Sequence, residues 1–293
     1  MTSPYSFSDQ ARTLREMIER RANIAESPSI RRQGGTLAVV GKGGVGKSVV
    51  ALNLAVSLAQ QGRSVCLLDA HLGLGSLDVM CGKNGYWNLS HVISGARRLG
   101  DVLLEGPQRI TLVPGADSLG QLAAAPPAVQ AAVLGELQEL EGRHDVLIVD
   151  TGGSLQGGAR RFALAADQLL VVTTPEPTAI TEAYATIKSL CGAGVDFGLV
   201  VNLAESTETA IRIAERLKHT SRMFLQADVE TWGVVPRDPA VPQSVWARTP
   251  LMCLSPGSPA AKALGRLAQR CLLRSVAAEP FFRRLFPPLS RAA

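Results

Sequence analysis

Cysteine and long apolar runs are scarce in this 293-residue chain, and each shortage removes a class of protein. The five cysteines, Cys66, Cys81, Cys191, Cys253 and Cys271, stand singly, four of them in apolar stretches where a small buried hydrophobe is the ordinary reading. With no CxxC pair, neither a disulfide framework nor a zinc site is expected, an iron–sulfur cluster is disfavoured, and the odd count fits a reducing compartment. No apolar run reaches the roughly 18 residues of a membrane span. Met1 to Asp9 lacks the basic-then-apolar order of a secretory signal, so the expected location is the cytoplasm. Aromatics make up only 4% of the chain, but 46% hydrophobic and 19% charged residues otherwise describe an ordinary globular protein, long enough to bury a full core around one sheet.

The formal charge of +5 is unevenly spread. Lys262, Arg266, Arg270, Arg274, Arg283, Arg284 and Arg291 face only Glu279 in the last stretch, so an anionic partner is expected there rather than over the whole surface. Three parts follow along the chain. Residues 1–33 are polar, with Leu14, Met17, Ile18 and Ala22 at helical spacing, and read as a short amphipathic helix on a linker. Residues 34–275 carry short Val/Ile/Leu runs, Leu37 to Val40, Val65 to Leu68, Val146 to Val149, Gln168 to Thr173 and Phe197 to Val201. Helical stretches alternate with them: Ser48 to Gln61, Pro127 to Leu140, Thr178 to Cys191 and Thr207 to Lys218. That alternation predicts an α/β domain, a mostly parallel sheet with helices on both faces, closed by a helix from about Pro259 to Ser275. Residues 276–293 form a basic, aromatic tail.

The strongest motif is Gly41-Lys42-Gly43-Gly44-Val45-Gly46-Lys47-Ser48, which satisfies GxxxxGK[ST] between an apolar strand and an amphipathic helix. Backbone N–H groups from Gly43 to Ser48 and Val49 can close around phosphate oxygens, Lys47 can neutralise the β and γ phosphates, and the Ser48 hydroxyl can ligate Mg²⁺. ATP or ADP with Mg²⁺ is the expected ligand. Asp150 and Asp69 each end an apolar strand, where a carboxylate can hold Mg²⁺ directly or through water.

The loop KGGVGKS, with its early Lys42, resembles the deviant Walker A loop of the MinD/ParA class. That resemblance implies a SIMIBI-type P-loop fold and an ATP-sandwich homodimer in which Lys42 reaches the partner's phosphates. Leu68-Asp69-Ala70-His71 is similar to the class's switch I, where Asp-x-Asp is usual and the second Asp orients the attacking water. His71 stands there instead and brings no fixed negative charge. Further stretches resemble the FlhG/FleN branch: Thr174-Pro175-Glu176-Pro177-Thr178, Val200-Val201-Asn202, Asp238-Pro239-Ala240-Val241 and Ser258-Pro259-Ala260-Ala261. The resemblance gives Asn202 the adenine edge and puts Pro236 and Asp238 beside the base. Where the branch often has Arg after the asparagine, this chain has Leu203.

Asp9-Gln10-Ala11-Arg12-Thr13-Leu14-Arg15 matches DQAxxLR, the motif by which that branch stimulates the GTPase FlhF. Gln10 would then help position the partner's attacking water, and Asp9, Leu14 and Arg15 are the other partner-activating residues of the motif. Phe281, Phe282, Arg283, Arg284, Leu285 and Phe286 are similar to a MinD-type membrane-targeting helix, apolar groups inserted and arginines at anionic head groups. A tail docked into the protein's own groove is the other reading of the same residues.

The expected function is a regulatory ATPase of flagellar number and placement, at the inner face of the membrane near a pole. Flagellar switch-complex proteins or a flagellar transcriptional activator are further candidate partners. Two alternatives stay open: an ATP-binding scaffold in which His71 weakens hydrolysis, and a ParA- or MinD-like partition or division-site ATPase. Nucleic acid is disfavoured as a partner because the N-terminal motif has no place in a DNA-segregation role.

Overall fold

β-Branched and leucine side chains alternate along the central strands, and the alternation sends them into two separate cores. In the computed structural model, which describes residues 35–71, 76–115, 118–153, 158–271 and 279–287, eight strands form one sheet. They are β1 (Gly35–Val40), β2 (Val65–Asp69), β3 (Leu104–Glu105), β4 (Thr111–Val113), β5 (Val146–Asp150), β6 (Gln168–Thr173), β7 (Asp196–Ala204) and β8 (Val229–Pro236). Their order is β3-β4-β2-β5-β1-β6-β7-β8, and every pairing is parallel except the short edge pair β3–β4.

Helices α1 (Lys47–Gln60), α2 (Leu77–Met80), α3 (Leu89–Ile93), α4 (Leu99–Val102), α5 (Leu119–Ala124), α6 (Pro127–Gly142) and α7 (Gly158–Ala165) occupy the first half. Then come α8 (Pro177–Leu190), α9 (Thr207–Leu225), α10 (Ala240–Trp246), α11 (Leu251–Leu254), α12 (Pro259–Ala268) and α13 (Phe281–Leu285). Leu37, Val39, Leu67, Ile148, Leu170 and Val172 face the core shared with α1 and α12. Ala38, Val40, Leu68, Val149, Leu169 and Val171 face the core shared with α6 to α9. A sheet buried on both faces explains why these strands read as continuous apolar runs. This is the α/β arrangement with helices on both faces that the sequence predicts.

Two features were not in that reading. The edge strand β3 and its neighbour β4 are only two and three residues long, too short to show a period. The end of β7 carries a register shift between Val201 and Ala204, with Leu203 in a left-handed conformation at φ 54°. No helix among the described residues is long and apolar enough to cross a membrane.

Of the two readings of the tail, the structure shows the docked one. Phe281, Phe282 and Leu285 are buried against α6 and α7, with Phe281 stacked on Phe162 at 6.5 Å. The Glu141 carboxylate accepts from the N–H of Phe281 (2.7 Å) and of Phe282 (3.3 Å), capping α13. Arg284 reaches Asp167 at 2.7 Å, Arg161 donates to the Leu285 carbonyl at 3.1 Å, and the Arg161 guanidinium lies 5.3 Å from the Phe286 ring centre. Only Arg283, paired with Glu279, points outward. Each buried Phe or Leu side chain gains about 1.5–3 kcal/mol over exposure, so the domain's own groove holds these residues in the single chain. The motif residues Asp9, Gln10, Leu14 and Arg15 lie outside the described residues.

Candidate functional site

β1 ends in the glycine loop, and the loop turns directly into α1 at Lys47. Gly46 occupies the cap position at φ 90°, where no side chain caps the helix, and the first turn of α1 carries no acid. Its free N–H groups and positive dipole end therefore face the loop, the arrangement that binds phosphate. Glycine is required at 46 on a second ground: a β-carbon there would sit 2.5 Å from Asn202 Nδ2. That nitrogen donates to the Val45 carbonyl at 2.8 Å, so the end of β7 braces the phosphate loop from the side.

Lys47 is buried, and its Nζ donates to the Lys42 carbonyl at 2.6 Å. Burial pulls the ammonium below its ordinary pKa, while the carboxylates of Asp150 and Glu182 work to raise it. Lys42 turns toward the start of α8, donating to Thr178 Oγ1 at 2.7 Å and lying 3.7 Å from Glu176. Ser48 and Val49 stand half-buried at the first turn of α1.

Asp69 and Asp150 are direct neighbours in the β2–β5 register, both buried. Each braces its own outgoing loop. Asp69 accepts from the N–H of His71 (3.1 Å) and of Leu77 (3.4 Å), and Asp150 accepts from the N–H of Gly152 (3.2 Å). Burial first, and the Asp150 charge second, push the Asp69 carboxyl up to about 6 against the pull of those N–H groups. Two carboxylates side by side are a site that a divalent cation relieves, and with the adjacent phosphate cradle the donor set fits a nucleotide–Mg²⁺ complex.

His71 packs on Gly152, and its Nδ1 is buried with no hydrogen-bond partner among the described residues. A buried polar atom without a partner is uncommon and marks a position where another donor or acceptor is to be met.

Of the residues expected beside the adenine, Asn202 stays available through Oδ1, which accepts from no described residue. Asp238 does not. Its two oxygens accept from the N–H of Ala240 (2.9 Å) and of Ala260 (2.9 Å), so one carboxylate caps both α10 and α12. Burial works to raise its pKa, but these two N–H groups and the Ser258 hydroxyl outweigh it and hold the carboxyl below its usual range. The Asp238 side chain therefore fixes the segment after Pro236 by capping both helices. Pro236 itself ends β8 half-buried, opposite Ala204.

The sequence reading missed Glu141 and Asp167, which anchor the tail from 140 and 117 residues away. It also missed Gly152 as the seat of His71. Acids at helix and strand ends were the available signal, but nothing local told which would be buried.

Comparison with known proteins agrees with this geometry. A ParA model described as "NUBPL iron-transfer P-loop NTPase" matches residues 35–95. The chain is 36% identical over 232 residues to the antiactivator FleN of Pseudomonas aeruginosa, covering 78% of this chain and 83% of FleN. It is 35% identical over 180 residues to the flagellum site-determining protein YlxH of Helicobacter pylori, covering 60% of each. Among solved structures, the septum site-determining protein MinD of Pyrococcus horikoshii, complexed with Mg-ADP, superposes with a TM-score of 0.64 at 26% identity, covering 80% of this chain and 95% of that one.

Proposed function

The chain belongs to the FleN family of MinD/ParA-class P-loop NTPases, and we propose that it is an ATP-dependent, dimerising regulatory ATPase in the control of flagellar number and placement. The observation that carries the reading is the juxtaposition of a phosphate loop bearing both Lys42 and Lys47 with the neighbouring carboxylates Asp69 and Asp150.

Loop N–H groups from Gly43 to Ser48 hold the phosphate chain, and Lys47 leaves the Lys42 carbonyl to take the β and γ oxygens. Ser48, Asp69 and Asp150 would hold Mg²⁺, which would supply positive charge to the phosphate chain. Asn202 Oδ1 accepts from the amino group of adenine. Lys42 exchanges Thr178 and Glu176 for the phosphates of a second subunit. In the N-terminal segment, Gln10 enters the FlhF GTPase site with Asp9, Leu14 and Arg15 as the docking face. Working at the inner membrane surface near the pole belongs to the same proposal.

His71 favours a second reading, an ATP-bound scaffold with slow turnover. An imidazole without fixed negative charge stands where the class has a carboxylate to orient water.

Steady-state ATP hydrolysis of wild type, Lys47→Ala and His71→Asp tests both. Wild-type turnover abolished by Lys47→Ala supports the cycling ATPase; near-silent wild type with an active His71→Asp supports the scaffold. ATP binding unchanged in Lys47→Ala would remove the phosphate-loop argument. Gln10→Ala is expected to keep ATP binding and to lose stimulation of FlhF GTP hydrolysis, whereas full stimulation removes Gln10 from the mechanism.

A further inference from the structure

A base whose edge meets Asn202 Oδ1 also presents flat faces, and covering one of them adds affinity that the edge contact does not supply. The ends of β7 and β8 frame that position. Ala204, two residues beyond Asn202, lies opposite Pro236 in the strand register, and its carbonyl accepts from the N–H of Arg237 at 2.9 Å. The root of the Arg237 side chain is thereby fixed beside the strand end that carries Asn202.

The segment leaving β8 offers one side chain that is not already committed to the fold. Pro236 is half-buried, and Asp238 spends both oxygens on the starts of α10 and α12. Arg237, between them, is 63% exposed, and its Nε lies 3.5 Å from the Glu205 carboxylate, itself 79% exposed. That is its ion pair among the described residues, and a pair so exposed is weak enough to be exchanged. On β7 the residue after Asn202 is Leu203, half-buried and turned into the left-handed conformation at the register shift. Leucine brings no charge, so a cation placed beside Asn202 at this junction comes from the neighbouring strand.

We propose that Arg237 is a nucleobase-binding residue: when adenine nucleotide binds, its guanidinium leaves Glu205 and lies against a flat face of the base whose edge Asn202 reads. The proposal rests on the reading of Asn202 given above and adds a second contact to it. A guanidinium is planar, always charged and weakly hydrated, which suits it to an aromatic face where the ammonium of lysine does less well. Glu205 is then the resting partner of Arg237 and competes with the base for it. The phosphate chain is held elsewhere, by the loop N–H groups and Lys47, so the contribution of Arg237 depends on the base and not on phosphate charge.

The test is ADP binding by calorimetry to the full chain, with displacement of ADP by inorganic pyrophosphate, for wild type, Arg237→Gln, Arg237→Lys and Glu205→Ala. All three changes are at exposed positions, and equal melting temperatures check that the fold is kept. Arg237→Gln is expected to weaken ADP binding about three- to tenfold and to leave pyrophosphate binding unchanged. Arg237→Lys is expected to lose most of the same factor, and Glu205→Ala to bind ADP as tightly as wild type or more tightly. ADP binding that survives Arg237→Gln overturns the proposal, as does an equal loss for ADP and pyrophosphate, or full retention by Arg237→Lys, either of which makes the effect one of charge alone. Weakening by Glu205→Ala equal to that of Arg237→Gln also overturns it, because the pair would then be structural. Wild type that binds ADP no better than pyrophosphate removes the base contact of Asn202 together with that of Arg237, whereas a base preference unaffected by Arg237→Gln leaves Asn202 standing and removes Arg237 alone.

Discussion

His71 lies so close over Gly152 that a β-carbon on the glycine would sit 2.6 Å from the imidazole Cγ and 2.8 Å from the His71 Cα. The two residues belong to the loops leaving β2 and β5, each pinned by the carboxylate that ends its own strand. The contact joins the two loops directly above the neighbouring acids Asp69 and Asp150.

Gly152→Ala tests that contact. Gly152 has φ 68°, so alanine brings left-handed strain as well as the clash, costing about 1–2 kcal/mol of stability. ATP affinity is expected to hold within about threefold while turnover falls roughly tenfold or more, because sub-ångström displacement of the reacting groups is enough to do so. Equal loss of affinity and turnover, or loss of neither, speaks against a loop-to-loop coupling.

Asp238 joins the starts of α10 and α12, and Asp238→Asn is expected to destabilise the protein by about 1–2 kcal/mol near neutral pH. The sign of the pH dependence follows from its lowered pKa. The carboxylate contributes stability above the ordinary aspartate value, and that contribution is lost as pH falls through the lower folded value. Denaturation midpoints followed from pH 7 into the acid range should therefore converge for wild type and variant; a constant gap, or none at pH 7, contradicts the capping role.

For the tail, Phe281→Ala removes a fully buried ring and is expected to cost about 3 kcal/mol or more. Arg283→Ala, on the outward side, should cost less than about 0.5 kcal/mol. Thermal melts that treat the two alike would mean that α13 is not part of the folded core.

Much of this could be read in the sequence, for identifiable reasons. Val39, Leu67 and Ile148 belong to runs buried on both faces, and such runs are visible without any partner. The phosphate loop, Asp69 and Asp150 were legible because strand ends and glycine spacing fix them locally. Phe281 and Phe282 were not, since amphipathicity shows that a segment wants an apolar surface and says nothing of which one. The groove and Glu141 lie more than a hundred residues earlier. The capping role of Asp238 was not legible for a related reason: the destination of its oxygens depends on α12, which returns from elsewhere in the fold.

The central claim is that ATP closes two copies of this chain around Lys42, which in the single chain rests on Thr178 and Glu176. Its most direct test is the molar mass by light scattering of wild type and Lys42→Ala with Mg-ATP and with Mg-ADP. The account predicts a doubling for wild type with ATP alone and none for Lys42→Ala. A mass independent of nucleotide, or a variant that doubles as wild type does, contradicts it.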